Sequence, residues 1–383
     1  MTLIEKLVKE IASIAPVDLE KVRIHTKTVT YNVLALCNMI EKGMIRISPE
    51  LQRAYVWDDV RASLFIESLI YRLPIPPIIL ASFENALYVV DGVQRLTTIR
   101  RFINDELRLV GVSPKLRNKR YKTLDRKERM AFENAELPVI IFEVEGPPEL
   151  KMLTYVEAFR RINLGAKPMS LMHVLFCTIP TPNNLLIKDV ARSEEFRKLF
   201  EPSEAEVRDC RDLYVSLALH MAFLRKEPLN LIGSFRQRYI RDIVDTLFRP
   251  DLIEPLQDAS RGVKASIRLA LNLGLDKTVF IASTYTGAPP KRMLVNPVLA
   301  QVILLALYEV ADKKTSGQEL VLEFPVEKKG EFKKMLIDSI RKIKIDGKDF
   351  KTYWTEIVKN GRVELLRKFY EEVKKVLTLL KAS

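Results

Sequence analysis

Cysteine is scarce in this 383-residue sequence, and the scarcity limits its chemistry. The three cysteines, Cys37, Cys177 and Cys210, are far apart and form no Cys-x-x-Cys pair. That spacing argues against a disulfide framework or a zinc site, and it points to a reducing, cytoplasmic compartment. Each cysteine reads as a small buried apolar residue.

A long apolar run is also missing. The opening "MTLIEKLVKEIASIAP" is amphipathic, with charges inside the apolar pattern, and lacks the core of a signal peptide. The most apolar later stretch is "NPVLAQVILLALYEVAD", residues 296–312, interrupted by Gln301 and Glu309. It falls short of the roughly 20 residues that span a bilayer, so it reads as a buried helix and no membrane partner is expected. There is no repeat or low-complexity tract. No G-x-x-x-x-G-K-[ST] occurs, which excludes a P-loop enzyme. No serine nucleophile elbow and no His-Glu-x-x-His appears either.

What is present is enough for a large folded core. Hydrophobic residues make up 48% and charged residues 29%, and a chain of this length predicts two domains. The net charge of +13 and a pI near 9.5 favour polyanionic partners, nucleic acid or nucleotides.

The first part mixes strands and helices. "YNVLALCNMIEKG" has helical spacing and ends at Gly43, a C-cap residue. "MIRISPELQRAYVW" reads as strand and loop. Asp58 is an N-cap for the helix "DVRASLFIESLIYRL", which Pro74, Pro76 and Pro77 stop. "PIILASF" and "ALYVVDG", separated by Glu84 and Asn85, read as paired strands. "QRLTTIRRFINDEL" is the next helix, "LPVIIFEVEG" a strand, and "ELKMLTYVEAFRRINLG" a helix ending at Gly165.

Beyond about residue 171 the pattern turns helical: "NLLIKDVARSEEFRKLF", "CRDLYVSLALHMAFLRK", "FRQRYIRDIVDTLF" and "VELLRKFYEEVKKVLTLLKA", with "QELVLEFPV" as a strand exception. The sequence therefore predicts an α+β domain over residues 1–170 and a mostly α-helical domain over 171–383.

The chemistry gathers where a strand becomes a helix, in "LYVVDGVQRLTTIRRF", residues 87–102. A helix start leaves N–H groups unpaired and carries partial positive charge, so an anion binds well there. Gly92, without a Cβ, lets a ligand approach the backbone. Arg95 can fork two hydrogen bonds onto phosphate oxygens. Gln94, both donor and acceptor, can orient a water. Asp91 can hold Mg²⁺, accept a proton, or pair with Arg95 four residues on. Ordinary turn chemistry explains Asp91 and Gly92 equally well.

A second Gln-Arg pair, Gln52-Arg53, stands in "LQRAYVW". An arginine in a loop followed by Tyr55 and Trp57 suits phosphate contact with stacking. Arg53 is assigned the ligand role and Trp57 the packing role. A third stretch, "FRRINLGAKPMS", brings Arg161 and Asn163 at a helix end, where a cation is also at home for structural reasons.

Together, "LQRAYVW", "IESLIYRLPIPPIIL", "YVVDGVQRLTTIRRF" and "FRRINLGAKPMS" resemble the N-terminal domain of GmrSD-type restriction endonucleases, over about residues 25 to 175. The resemblance implies a ParB/sulfiredoxin-like fold, with nucleoside triphosphate binding and hydrolysis, Mg²⁺, and a role in defence against foreign DNA. It implies Arg53, Asp91, Gln94, Arg95, Arg161 and Asn163 as site residues, with Gln52 and Gly92 beside them. The family's Asp-Gly-Gln-Gln-Arg pattern has Val93 at its third position here. Sulfiredoxins carry their cysteine at that place, so their chemistry is absent. The His-Asn-His nuclease that many such proteins append needs a histidine beside a metal. The histidines are His25, His173 and His220, the last two read as structural, so a nuclease is expected on a separate chain.

"KLRNKRYKTLDRKER", residues 115–129, carries eight basic residues around Tyr121. It suits a nucleic-acid backbone, although a solvated face is the commoner meaning. In "EVRDCRDLY", Arg208 and Asp212 fall at i, i+4 and can pair.

The expected function is thus a triphosphate-binding and hydrolysing domain of a restriction or defence system, with DNA as a partner and a homodimer as a further expectation. The alternatives are a ParB-like nucleotide-switched DNA-binding module without turnover, or a DNA nickase using the same pocket.

Overall fold

The computed structural model describes residues 19–47, 55–162, 175–176, 181–231, 239–286, 293–316, 319–326 and 329–381. Two compact units divide the chain, one over Pro16–Pro180 and one built on Thr181–Ser383.

The first unit is a mixed sheet with helices. In chain order it runs β1 (Arg23–Asn32), α1 (Val33–Glu41), β2 (Ile45–Arg46), α2 (Asp59–Ile70), β3 (Ile78–Phe83), β4 (Ala86–Asp91), α3 (Val93–Ile103), α4 (Arg126–Glu133), β5 (Glu136–Glu145) and α5 (Pro148–Ile162). The strand order is β1-β5-β3-β4-β2. β3 is parallel to β5 and antiparallel to β4, while β1 lies antiparallel to β5 at one edge.

Local chemistry sets the element ends. Asn32 Oδ1 accepts from Ala35 N at 2.8 Å and starts α1. Asp58 Oδ1 accepts from Arg61 N at 2.7 Å and starts α2, as the sequence predicts. Gly43, at φ 69°, follows the end of α1. Glu84 and Asn85 both take positive φ, 45° and 62°, which is what a two-residue turn between right-twisted strands requires.

Leu80, Val89, Val139 and Ile141 of the sheet are buried together with Leu36, Ile66, Leu69, Leu96, Ile99 and Phe102 of the helices. By contrast β1 buries almost nothing; its first six residues are all exposed. The basic stretch 115–129 is partly used up internally. Buried Glu128 accepts from Lys119 Nζ at 2.7 Å through both oxygens. Tyr121 packs edge-on against Phe102 and Phe132 and donates to Glu133 Oε1 at 2.5 Å. Tyr121 is therefore committed to the fold, and a stacking role on nucleic acid does not fit it.

The second unit is mostly helical. It contains α6 (Pro182–Arg192), α7 (Glu194–Phe200), α8 (Glu204–Arg208), α9 (Arg211–Arg225), α10 (Ile240–Phe248), α11 (Ile253–Asn272), α12 (Ser283–Thr286), α13 (Pro297–Val310), the hairpin β6 (Asp312–Ser316) and β7 (Glu319–Glu323), α14 (Phe332–Lys342), α15 (Phe350–Asn360) and α16 (Val363–Lys381). α13 is the buried helix expected of residues 296–312. Its one interior polar side chain, Gln301, is satisfied by the backbone of Leu229 and Pro297. Among the described residues no helix is long and apolar enough to cross a membrane.

Two expectations are corrected here. "NLLIKDVARSEEFRKLF" is two helices, because Ser193 leaves helical geometry and caps the second through Phe196 N. Arg208 and Asp212 do not share a helix, because Cys210 adopts a left-handed conformation at φ 54° between α8 and α9. Their i, i+4 spacing therefore does not make them neighbours on one face. His220 is fully buried, with Nδ1 2.8 Å from Ser216 O, as a core histidine should be. His173 lies outside the described residues.

Candidate functional site

β4 ends on a bulge. Asp91 pairs with Ile79 and Val89 with Leu80, so Val90 is the extra residue. Val89 and Val90 are consequently both buried, and the strand's alternation is reset just before Asp91. A bulge at this place re-aims the side chain that follows it.

Gly92 then takes φ 99° and ψ 10° and serves as N-cap of α3 without a side-chain cap. A Cβ built there would meet Ile78 Cγ1 at 3.0 Å and Arg95 Nη2 at 3.3 Å. In the direction a side chain would take, Gly92 is met by the protein's own arginine and isoleucine.

Arg95 is buried. Its Nη2 donates to Asp91 Oδ2 at 2.7 Å, and Nη1 donates to the Pro76 carbonyl at 2.6 Å. Of the roles open to Asp91 in the sequence, the pairing with Arg95 is formed. The side-chain exposures are 9% for the arginine and 43% for the aspartate. The guanidinium fork expected for phosphate is thus spent on fixing Asp91 and the Pro76 turn. The carboxylate it fixes is half-exposed, with Oδ1 outside this ion pair.

Gln94 also turns out to face the protein. Its Oε1 accepts from Val56 N at 3.0 Å and from Trp57 N at 3.3 Å. Two donors fill the lone pairs of one amide oxygen, so this atom is not placed to orient a water. Gln94 instead ties the hinge to the loop that follows "LQR". Trp57 packs edge-on against Phe65, ring centroids 5.6 Å apart, with Arg61 at 5.2 Å from its ring. That is the packing role read for Trp57 in the sequence.

Arg161 sits near the end of α5 and pairs through Nε with Glu157 Oε1 at 2.7 Å, its side chain 60% exposed. Lys151 stacks on Phe83, and Tyr155, one turn on, hydrogen-bonds Ser82 O and Val144 N. These contacts dock the first half of α5 on the hairpin end of the sheet. Gln52, Arg53 and Asn163 lie outside the described residues.

Residues that sequence reading did not assign to the site include Thr98, Arg101 and the carbonyl of Pro76. A polar row at positions 94, 98 and 101, on one helical face, was the available signal.

Mg²⁺ usually takes one or two carboxylates plus substrate phosphates and keeps several waters. A lone, half-exposed and rigidly held Asp91 fits that mode. Among the described residues there is no group of three or more His, Cys, Asp or Glu that forms a protein-only cage. A cavity of about 260 Å³ lies elsewhere in this unit, lined by Ser68, Leu69, Arg72, Leu73 and Asn134 among others, none of them hinge residues. It carries none of the hinge chemistry above.

Residues 33–179 match the family described as GmrSD restriction endonuclease, N-terminal domain. The resemblance read from the sequence holds over that span. Neither the curated proteins nor the solved structures yield a significant match.

Proposed function

We propose that the first unit binds a nucleoside triphosphate at the hinge between β4 and α3 and hydrolyses it with Mg²⁺. The observation that carries this reading is the Asp91–Arg95 pair. A buried arginine fixes a half-exposed carboxylate at the point where a strand hands over to a helix whose N-terminus has no side-chain cap. Burying a guanidinium is costly unless it is fully hydrogen-bonded, and here it serves to hold one carboxylate still.

In this reading the start of α3 receives phosphate oxygens. Asp91 holds Mg²⁺ or takes the proton of the attacking water, and the metal, when bound, neutralises phosphate charge. Arg95 positions Asp91. Arg53 and Arg161 supply positive charge to the phosphates, and Gln52 and Asn163 complete the pocket. The unit acts in a restriction or phage-defence system, in the cytoplasm. DNA is a partner, a separate nuclease chain does the cutting, and the chain pairs as a homodimer.

One observation favours a second reading. Gln94 Oε1 is occupied by the Val56 and Trp57 amides, which leaves the water-positioning role without its expected residue. A nucleotide-switched DNA-binding module with little turnover fits that geometry.

Phosphate release separates the two. The full chain is given each of four nucleoside triphosphates with Mg²⁺. Release abolished by Asp91→Ala supports hydrolysis. Calorimetric binding without release supports the switch, and neither binding nor release refutes both. Plasmid nicking in the same tubes tests the nickase.

A further inference from the structure

One face of α3 presents Gln94, Thr98 and Arg101 in a row, at i, i+4 and i+7. All three engage the same short segment, Tyr55–Asp59. Gln94 holds its Val56 and Trp57 amides. Thr98 Oγ1 donates to the Gln94 carbonyl at 2.7 Å. A hydroxyl has one proton, so the 2.9 Å contact between Thr98 Oγ1 and Tyr55 Oη has the tyrosine as donor. Arg101 lies 5.0 Å from the Tyr55 ring centroid, and its Nη2 is 3.2 Å from Asp59 Oδ1. Residues 55–58 have no helix or strand of their own. Asp58 is held by the start of α2 through Arg61 N, and Trp57 by Phe65 and Arg61; the contacts from α3 fix the backbone of Val56 and Trp57 and the Tyr55 ring.

We propose that Thr98 and Arg101, with Gln94, are positioning residues that clamp the Tyr55–Asp59 segment to α3 and so set the geometry of the nucleotide site. The inference rests on the nucleotide reading above. Its physical basis is that Gln94 belongs at once to the hinge and to the clamp. A nucleotide pressing on the start of α3 meets a helix whose first turn is bonded to that segment. Loosening the segment should therefore weaken nucleotide binding without removing Asp91 or Arg95.

The test uses Trp57 as reporter. The sequence has two tryptophans, Trp57 and Trp354, so a full-length Trp354→Phe background isolates the signal. Thr98→Val keeps the shape and removes the acceptor for Tyr55; Thr98→Ser restores it. Arg101→Met removes the guanidinium from Tyr55 and Asp59. In Thr98→Val and Arg101→Met, acrylamide quenching of Trp57 should rise about twofold. KM for the bound triphosphate should rise about tenfold, equivalent to one lost hydrogen bond of roughly 1.4 kcal/mol, with kcat within about threefold. Thr98→Ser should match the parent in both.

If the valine variant folds and leaves quenching and KM unchanged, the clamp is overturned while the nucleotide reading stands. Quenching that rises with KM unmoved shows a merely structural contact and also overturns the positioning role. A parent protein that binds no triphosphate refutes the nucleotide reading and takes this inference with it.

Discussion

Arg95 Nη2 donates to Asp91 Oδ2 at 2.7 Å, across a left-handed Gly92, and the arginine is far more buried than its partner. The asymmetry sets the direction of influence. The guanidinium is locked by Pro76 and the hinge, and the aspartate is the end that meets solvent. Any ligand at this point meets a carboxylate already fixed in place.

Replacing Arg95 by lysine should therefore destabilise the first unit. A single ammonium on a flexible stem does not reproduce the fork that reaches both Pro76 O and Asp91. Removing one partner of a fully buried pair costs about 3–5 kcal/mol. With Asp91 half in water, roughly 1–3 kcal/mol is expected once screening is taken into account. Urea denaturation of Arg95→Lys against the parent measures it, and an unchanged midpoint would contradict the locked geometry.

Gly92→Ala should cost on the order of 1–3 kcal/mol, from a side chain at positive φ and from contact with Ile78. The added Cβ has Ile78 Cγ1 at 3.0 Å and Arg95 Nη2 at 3.3 Å. Nucleotide affinity should fall as well, since Arg95 must shift to make room. Thermal unfolding and nucleotide titration of the variant test both. An alanine variant as stable as the parent would mean the hinge is not packed as described.

His220 gives a pH signature in the second unit. Burial pushes its imidazole from the usual 6.5 down to about 4. The sign follows from proton uptake: between pH 6.5 and 4 the unfolded chain binds a proton that the folded chain refuses. Stability is thus full above about pH 6.5 and falls as pH drops toward 4, by on the order of 3 kcal/mol in total. Relative to His220→Gln, the parent's unfolding free energy should decline across this window. A constant difference between the two proteins from pH 7 to 4 would refute the buried neutral histidine.

Much of the fold is legible in the sequence because local signals and tertiary packing agree. The Asp58 cap, the β3–β4 hairpin, the apolar helix 297–310 and the long C-terminal helix all carry their periodicity or turn chemistry openly. β1 is not legible in the sequence, because a strand exposed on both faces over most of its length shows no apolar alternation. β6, "DKKTS", is hidden for the same reason. The breaks at Ser193 and Cys210 hide inside helical runs, and a left-handed cysteine has no residue signal at all.

The site was half legible. The strand-to-helix switch marks the hinge residues in the sequence, and i, i+4 spacing allows the Asp91–Arg95 pair. The partners of Gln94 were out of reach. They lie 37 and 38 positions back in the chain, and only the fold brings the Val56 and Trp57 amides to its oxygen. Burial of Arg95 was equally hidden, because it depends on a carbonyl 19 residues away.

The most direct measurement is calorimetric titration of the full chain with a nucleoside triphosphate, with and without Mg²⁺, beside Asp91→Asn and Asp91→Ala variants shown by circular dichroism to be folded. The account predicts saturable binding by the parent that strengthens with Mg²⁺ and falls at least about tenfold, some 1.4 kcal/mol, in both variants. Binding of equal strength in parent and variants, or no binding of any triphosphate by the parent, would contradict it.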